Sequence, residues 1–557
     1  MSRFFAGEST AQSTGFEAAW EEIRPKSSLG RRVKAKERPR LPGEEAALKE
    51  EFHQLLKAVS FYEKYPEAAS KLEETLESLK DPFHVITLLE DKKTLTPAEL
   101  FVVAHLAFSS GKVRAVLRET KDVGWPGEVT PPSLSSIQKR LLPGTSGQPS
   151  FYIGDSFSPE LEKVRAERKD RERKWREEMA KEALAVEALL SRRPGLREEI
   201  AIRKTDSELV RKARLMPELA ETRETLTHVH FRLKATREAV RLEREINRLR
   251  QKEVSLEEEV LSSLSRELVP NLGDITRAAW ALGKLDYLLA KARLYRSWGA
   301  SVPEILDSSA PQVVLTGAFH PGVRKQVRER GGRYQPISIE LDSTVAVITG
   351  PNMGGKTVAL ATIGLCVSLA QWALPVPCEK MSFTLYDFIY FQPQSPGKPG
   401  LSSFAAEVVS LKEPLSRSGQ KGLVLLDEIG RGTNPSQGLA LYAAVLQYFK
   451  EEKNGRCTVV ATTHFHGLPD LTGVSHWQVT GLCPSCKAPV GNGPDADSSK
   501  DGSYGLNWLY DHMDYSLQRV GPDAKTPQDA LLVARLLGLD KEIIKRAEKI
   551  FLNQNVS

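Results

Sequence analysis

Apolar positions along this chain fall into three patterns. In "RAERKDRERKWREEMAKEALAVEALL" and again in "LKATREAVRLEREINRLRQKEVSLEEEVLSSL" they recur at helical spacing, with opposite charges between them. That pattern predicts two long, solvated helices, interrupted at "RRPGL" and ending near residue 268. Between the two arms, "EEIAIRKT" and "ETLTHVHF" alternate as short strands do. Two long helices carrying a small tip predict a protruding antiparallel hairpin, although the periodicity alone would serve a coiled-coil dimerisation arm equally. From about residue 300 the pattern changes again. "VAVITG", "GLVLLDE" and "CTVVATTH" are short apolar runs, each meeting a turn, with the helical pattern "LALYAAVLQYFKEE" among them. Buried parallel strands alternating with helices predict a doubly wound α/β sheet. The expected organisation is an N-terminal extension 1–27, a helical core 28–157, lever helices 158–268 with a tip at about 197–232, a return to the core over 269–300, and an α/β domain 301–557 with an insertion at about 481–508.

Composition adds limits. With 557 residues, 40% hydrophobic and 27% charged, the chain has material for several packed cores. A net charge of +6 is compatible with nucleic acid without being a polybasic arm. Five cysteines in so long a chain form no disulfide framework, which points to a reducing cytoplasm. "MSRFFAGEST" lacks the apolar core of a signal peptide, and no membrane span is expected.

The candidate chemistry gathers in the α/β part. Gly350, Pro351, Asn352, Met353, Gly354, Gly355, Lys356 and Thr357 satisfy G-x-x-x-x-G-K-[ST] between a predicted strand and a predicted helix. Glycines let backbone N–H groups approach phosphate oxygens, and the helix N-terminus adds partial positive charge. Lys356 is expected to reach the β- and γ-phosphates of ATP, and Thr357 to bind Mg2+ through its hydroxyl. Asp427 and Glu428 end the next apolar run; Asp427 is placed for the Mg2+ shell and Glu428 to polarise the attacking water. His464 ends a third run, as a candidate γ-phosphate sensor.

Together these residues resemble the MutS family. "TGPNMGGKT" matches its phosphate loop, "LLDEIGRGT" its metal-binding strand and following loop, and "TTHFHGL" its Thr-His motif. "GLSSFAAEV" is similar to the family's Gly-x-Ser-Thr-Phe segment, with Ser403 where Thr is usual. The resemblance implies an ABC-like ATPase that works as a homodimer, with Ser402 reaching the nucleotide of the other subunit and Gly430–Thr433 at the same interface. "FHPGV" stands where the family has Arg-His-Pro, with Phe319 replacing the arginine, and "YQPISIEL" makes Tyr334 the candidate to stack on adenine, or simply a strand residue. "PNLGDITRAAWALGKLDYLLAKARL" and "ALLVARLLGLDKEIIKRAEKI" resemble the returning lever and the closing helices. The wording leans towards the bacterial paralogues that carry a Smr nuclease. "SSLGRR" resembles the opening of the core domain, so the mismatch reader, the connector and the Smr nuclease are expected to be absent. "FYE" at Phe61–Glu63 falls inside a helical pattern and is set aside as a mismatch wedge.

The insertion carries Cys483 and Cys486 as one C-x-x-C. A structural zinc needs four ligands; His476 and His512 are available, and a plain loop with two thiols is the alternative. Two loads remain. In the first, ATP opens and closes a dimeric clamp on duplex or branched DNA, in repair or recombination and without mismatch reading. Arg203, Lys204, Arg211, Lys212 and Arg214 at the tip would then contact phosphates, unless with their acidic neighbours they form only a solvated face. In the second, the engine resembles the reactivating ATPases of B12-dependent lysine or ornithine aminomutases, and the tip grips an enzyme.

Overall fold

In the computed structural model the described residues are those outside 1–4, 144–150, 193–198, 309, 352–354, 393–402, 429–433, 452–455, 465–467, 469–473, 483–512, 522–530, 532–533, 535–538 and 555–557. The chain divides into two compact units. One comprises residues 79–114 and 131–279; the other comprises 1–78, 115–130 and 280–557. These units cut across the helical core drawn from sequence at 28–157.

In the first unit the helices Pro159–Leu190 and Arg237–Leu268 pair along their length. Ser158 and Thr236 cap their N-termini through side-chain oxygens. Arg165 holds Glu257 (2.6 Å) and Glu253 (2.8 Å), while further along Arg171 holds Glu245 (3.0 Å). Partner numbers fall as the first helix's numbers rise, so the pair is antiparallel. Leu161 and Val164 of the first arm meet Leu256 of the second in one buried cluster.

The helical part carries a small sheet at its tip, where the alternation along the chain predicts short strands. Strands β1 (Glu199–Arg203), β2 (Leu219–Glu224) and β3 (His228–Leu233) form an antiparallel sheet in the order β1-β3-β2, with helix Ser207–Leu215 between β1 and β2. Alternation is the cause. Ile200 and Ile202 from β1, and Val229, Phe231 and Leu233 from β3, share one buried cluster with Val210, Ala213, Met179 and Val186. The tip is therefore folded onto the ends of the two long helices around a core that it shares with them.

The second unit carries the α/β part. Strands β4 (Glu304–Ile305), β5 (Val313–Ala318), β6 (Ile337–Leu341) and β8 (Lys380–Phe383) make a four-stranded sheet in the order β4-β8-β5-β6. Strands β7 (Val345–Thr349), β9 (Phe388–Phe391), β10 (Gly422–Leu426), β11 (Cys457–Thr462), β12 (Ser475–Leu482) and β13 (Met513–Val520) make a six-stranded sheet in the order β13-β12-β7-β11-β10-β9. All its pairs are parallel except β12 with β13. Every residue of β7, β9, β10 and β11 is buried, as a parallel sheet covered on both faces requires. Val345, Val347, Val424 and Leu426 face Leu411, Tyr442 and Leu446 of the helices Ser403–Ser416 and Pro435–Glu451. On the opposite face Leu425 lies so close to helix Lys356–Gln371 that a Cβ on Gly364 would come within 2.7 Å of it.

The N-terminal segment belongs to this sheet. Ile389 donates its N–H to Phe5 O (2.8 Å), and Phe391 donates to Thr10 Oγ1 (3.1 Å), so the chain start covers the β9 edge. Phe16 then packs tilted and Trp20 edge-on against Trp372, and His320 Nε2 meets Thr14 O at 3.2 Å. "SSLGRR" also acquires a physical meaning. Ser27 caps helix Ser28–Lys36, and the buried Asp286 carboxylate accepts from Lys26 N–H, Ser27 N–H and the Ser27 hydroxyl at 2.6–2.9 Å. A Cβ on Gly30 would stand 2.3 Å from Asp286 Oδ2, so glycine is required there.

Phe61 is fully buried in helix Glu45–Lys64, which is no place for a wedge. Helix Pro97–Glu119 is long and apolar enough to cross a membrane, and 56% of its apolar window is buried inside the fold.

Candidate nucleotide site

The site is built at the C-terminal ends of β7, β10 and β11. After β7 the backbone enters Gly350, whose φ of +152° and approach to Val479 (2.9 Å from an added Cβ) exclude a side chain. Gly355, with φ +72°, is the N-cap of helix Lys356–Gln371 and starts the helix directly behind the loop. Lys356 is 3% exposed. Its Nζ donates to Gly350 O (3.0 Å) and Pro351 O (2.9 Å) and stands 3.5 Å from Glu428 Oε1. Asn352, Met353 and Gly354 lie outside the described residues, as do Ser402 and the loop 430–433.

Thr357, Asp427 and Glu428 are brought into one hydrogen-bonded chain by a residue the sequence reading passed over. The Thr357 hydroxyl donates to Asp427 Oδ2 (2.8 Å), and the Thr462 hydroxyl donates to Asp427 Oδ1 (2.8 Å). Thr462 Oγ1 in turn accepts the Glu428 N–H (2.9 Å). The register explains it: Leu426 pairs with Ala461, so the residues one step on, Asp427 and Thr462, end side by side. The signal in the sequence was the first Thr of "TTH". Glu428 has φ +46°, a conformation rare for a side-chain-bearing residue and common at functional sites. Its Oε1 lies 2.6 Å from His464 Nε2. A carboxylate flanked by an ammonium and an imidazole, with a hydroxyl–carboxylate pair beside it, can bind a polyphosphate and take up the proton of a water.

Magnesium fits this chemistry. Thr357 and Asp427 supply hard oxygen donors from adjacent elements, as the cation prefers. Among the described residues no cluster of three His, Cys, Asp or Glu side chains is set to hold a metal. Cys483, Cys486 and His512 fall outside the described residues. His476, offered as a zinc partner, is buried on β12 with its Nε2 2.8 Å from Thr349 Oγ1.

Of the two aromatic residues Tyr334 and Tyr515, the second reaches the loop. Tyr334 precedes β6, and its hydroxyl oxygen accepts the His320 N–H (3.0 Å); burial pushes that phenol above its usual range. Tyr515, which sequence reasoning missed beyond the insertion, touches the loop itself. A Cβ on Gly355 would come within 3.0 Å of its ring, and its N–H donates to Gln335 Oε1 (2.6 Å). No local pattern announces Tyr515; only the antiparallel return of β13 against β12 places it there.

The five tip cations behave differently. Lys204 pairs with Glu224, Lys212 with Glu208 (3.3 Å), and Arg214 with Glu221 (2.9 Å) and Glu224 (3.4 Å). Arg203 and Arg211 are exposed, without a carboxylate in reach among the described residues.

Part of the chain is similar to known proteins. Residues 346–554 match the family MutS domain V. Endonuclease MutS2 of Enterococcus faecalis (strain ATCC 700802 / V583) is 38% identical over 233 residues, 40% of this chain and 28% of that protein. Endonuclease MutS2 of Streptococcus pneumoniae serotype 19F (strain G54) is 32% identical over 235 residues, 42% of this chain and 29% of that protein. The matched segment thus spans less than a third of the length of these relatives.

Proposed function

We propose that this chain, whose residues 346–554 match MutS domain V, is an ATPase that binds ATP with magnesium and couples hydrolysis to holding and releasing nucleic acid. The observation that carries the reading is the single hydrogen-bonded chain joining Thr357, Asp427, Thr462 and Glu428, with Lys356 and His464 on either side of the Glu428 carboxylate.

Each residue has a task. The loop N–H groups and the start of helix Lys356–Gln371 bind the phosphates, and Lys356 Nζ exchanges the Gly350 and Pro351 carbonyls for phosphate oxygens. Thr357 and Asp427 hold Mg2+, which neutralises phosphate charge when bound. Thr462 fixes the rotamer of Asp427 and the backbone of Glu428. Glu428 accepts the proton of the attacking water at Oε1, and His464 orients that carboxylate and senses the γ-phosphate. Tyr334 and Tyr515 are the candidates to face the base.

Both relatives carry the name endonuclease, an activity on nucleic acid, and this supports a nucleic-acid load. Cleavage itself is not part of the proposal. A homodimer in which Ser402 completes the neighbour's site, clamped on duplex or branched DNA, is the finer form of it. One observation favours the other reading, a B12-dependent aminomutase as load: at the tip, three of the five candidate cations are already paired with carboxylates. The test is ATP turnover and duplex binding in one preparation. Glu428→Gln is expected to retain ATP binding and lose hydrolysis; duplex binding that responds to ATP supports the DNA load, and its absence at low salt removes it.

A further inference from the structure

If a nucleic acid is held, the question is where the chain offers it unpaired positive charge. The tip carries seven Lys and Arg against six Asp and Glu between residues 199 and 233. Most of these charges are satisfied locally, through pairs such as Arg232 with Glu199 (2.7 Å) and Arg214 with Glu221 (2.9 Å).

The second unit contains the opposite arrangement. Between Pro321 and Arg333 there are five cations and one carboxylate, Glu329. Helix Pro321–Glu329 is capped at its start by the His320 side chain. It is closed at its end by a Schellman turn: Gly331 has φ +77°, its N–H donates to Arg328 O (3.0 Å), and the Gly332 N–H donates to Val327 O (2.9 Å). Arg324 faces inward, donating to Trp298 O (3.3 Å) with its guanidinium 3.5 Å from the Phe319 ring centre. Lys325, Arg328, Arg330 and Arg333 are exposed, and none has a carboxylate in ion-pair reach among the described residues. Helix Phe16–Glu22, which packs nearby, brings Glu22, but the Trp298 indole N–H holds that carboxylate (2.8 Å).

Four like charges crowded on one helix end and its turn repel one another. Cations near a helix C-terminus are stabilised by its dipole, but that effect is confined to the last turn and the Schellman bonds already satisfy the carbonyls there. A polyanion relieves the repulsion. We propose that Lys325, Arg328, Arg330 and Arg333 form a docking surface for the phosphate backbone of a nucleic-acid duplex, and that this surface, more than the tip, supplies the sequence-independent part of binding. The inference rests on the nucleic-acid reading above. It adds the site: contacts of this kind position a duplex without reading its sequence.

The experiment is a salt titration of a labelled random-sequence duplex against the full chain, by fluorescence anisotropy. The variants are Lys325→Gln/Arg328→Gln/Arg330→Gln/Arg333→Gln, the same positions with Arg→Lys only, and Arg203→Gln/Lys204→Gln/Arg211→Gln/Lys212→Gln/Arg214→Gln. Each lost phosphate contact lowers the slope of log Kobs against log salt by about 0.9, so the fourfold variant is expected to lose about 3 to 4 in slope and more than about tenfold in affinity at moderate salt. The Arg→Lys variant keeps the slope, and ATP turnover without DNA stays at the wild-type rate. If the fourfold variant fails to fold, the pairs Lys325→Gln/Arg328→Gln and Arg330→Gln/Arg333→Gln are each expected to lose about 2 in slope. Wild-type binding with an unchanged slope in these variants overturns the docking surface and leaves the nucleic-acid reading standing. A slope lost only in the tip variant does the same, as does a lower melting temperature with an unchanged slope. No wild-type binding at low salt overturns both.

Discussion

The sheet end that carries Gly350 and the tip that carries Arg203 are both rich in charge, and they spend it differently. At the sheet end, groups from three separate segments converge: Lys356 and Thr357, Asp427 and Glu428, Thr462 and His464. Their bonds run to one another across strand ends, and two of the supporting backbones, Gly355 and Glu428, sit at positive φ. At the tip, cations and carboxylates pair within one small module, over a core in which Phe231 is 1% exposed. A site organised for a ligand holds its polar groups in costly positions. A stable module satisfies them where they stand.

The largest effect should come from breaking the convergent end. Glu428→Gln keeps shape and the His464 contact but removes the proton acceptor, so turnover is expected to fall by about 10²- to 10⁴-fold with nucleotide binding retained. Phosphate release and equilibrium binding of a labelled ATP analogue separate the two quantities. Turnover at the wild-type rate would remove Glu428 from the chemistry. Thr462→Val tests the same end more gently. It deletes the hydroxyl shared by Asp427 Oδ1 and the Glu428 N–H, and should lower turnover while raising the magnesium concentration needed for half-maximal rate.

The tip should respond in the opposite way. Phe231→Ala opens a cavity in the tip core and is expected to cost that module about 3–5 kcal/mol. Hydrogen exchange should show the loss in residues 199–233, with ATP turnover in the absence of nucleic acid unchanged. Turnover that falls with it would show that the tip is coupled to the sheet end.

How much of this was legible follows from the range of the forces involved. "VAVITG", "GLVLLDE" and "CTVVATTH" announced β7, β10 and β11 because a strand buried on both faces writes itself locally as an apolar run. Ile200, Ile202, Val229 and Phe231 announced tip strands through alternation. β2 was invisible as a strand: "ETRE" is polar, and pairing with β3 alone makes it one. The covering of β9 by Phe5 and Thr10, and the placing of Tyr515 beside Gly355, join residues more than 150 positions apart, and no window of sequence contains them. The motif residues were readable singly. Thr462, which links them, needed the register.

A smaller effect sits where the N-terminal segment meets the α/β part. Gly15 has φ +72°, and an added Cβ would stand 2.5 Å from His320 Nε2, so Gly15→Ala should cost about 1–3 kcal/mol. His320 makes the same contact sensitive to pH. Nδ1 accepts from Val323 N–H (3.4 Å) and Nε2 donates to Thr14 O (3.2 Å), which is the neutral ring. Burial holds its pKa below the ordinary 6.5. Between that depressed value and 6.5 the unfolded chain binds the proton and the folded chain does not, so this contribution is complete above pH 6.5 and is lost as pH falls through the folded value. The melting temperature should drop on going from neutral to mildly acidic buffer, and less steeply in His320→Asn. Equal slopes would free His320 of this role.

The smallest expected effect sharpens the opening contrast most. Lys212→Gln and Arg214→Gln break pairs that are exposed and made with neighbours four to ten residues away. Such pairs contribute little, because water screens them and two long side chains must be ordered to form them. Neither variant should move the melting temperature measurably, and neither should change the salt slope of duplex binding. If the tip were a phosphate-binding surface despite its pairing, these substitutions would lower that slope while leaving stability alone. The same null result in stability would then carry the opposite meaning, because Glu208, Glu221 and Glu224 would be stand-ins for a backbone that displaces them. The slope, not the melting curve, decides between a self-satisfied module and a site kept neutral until its partner arrives.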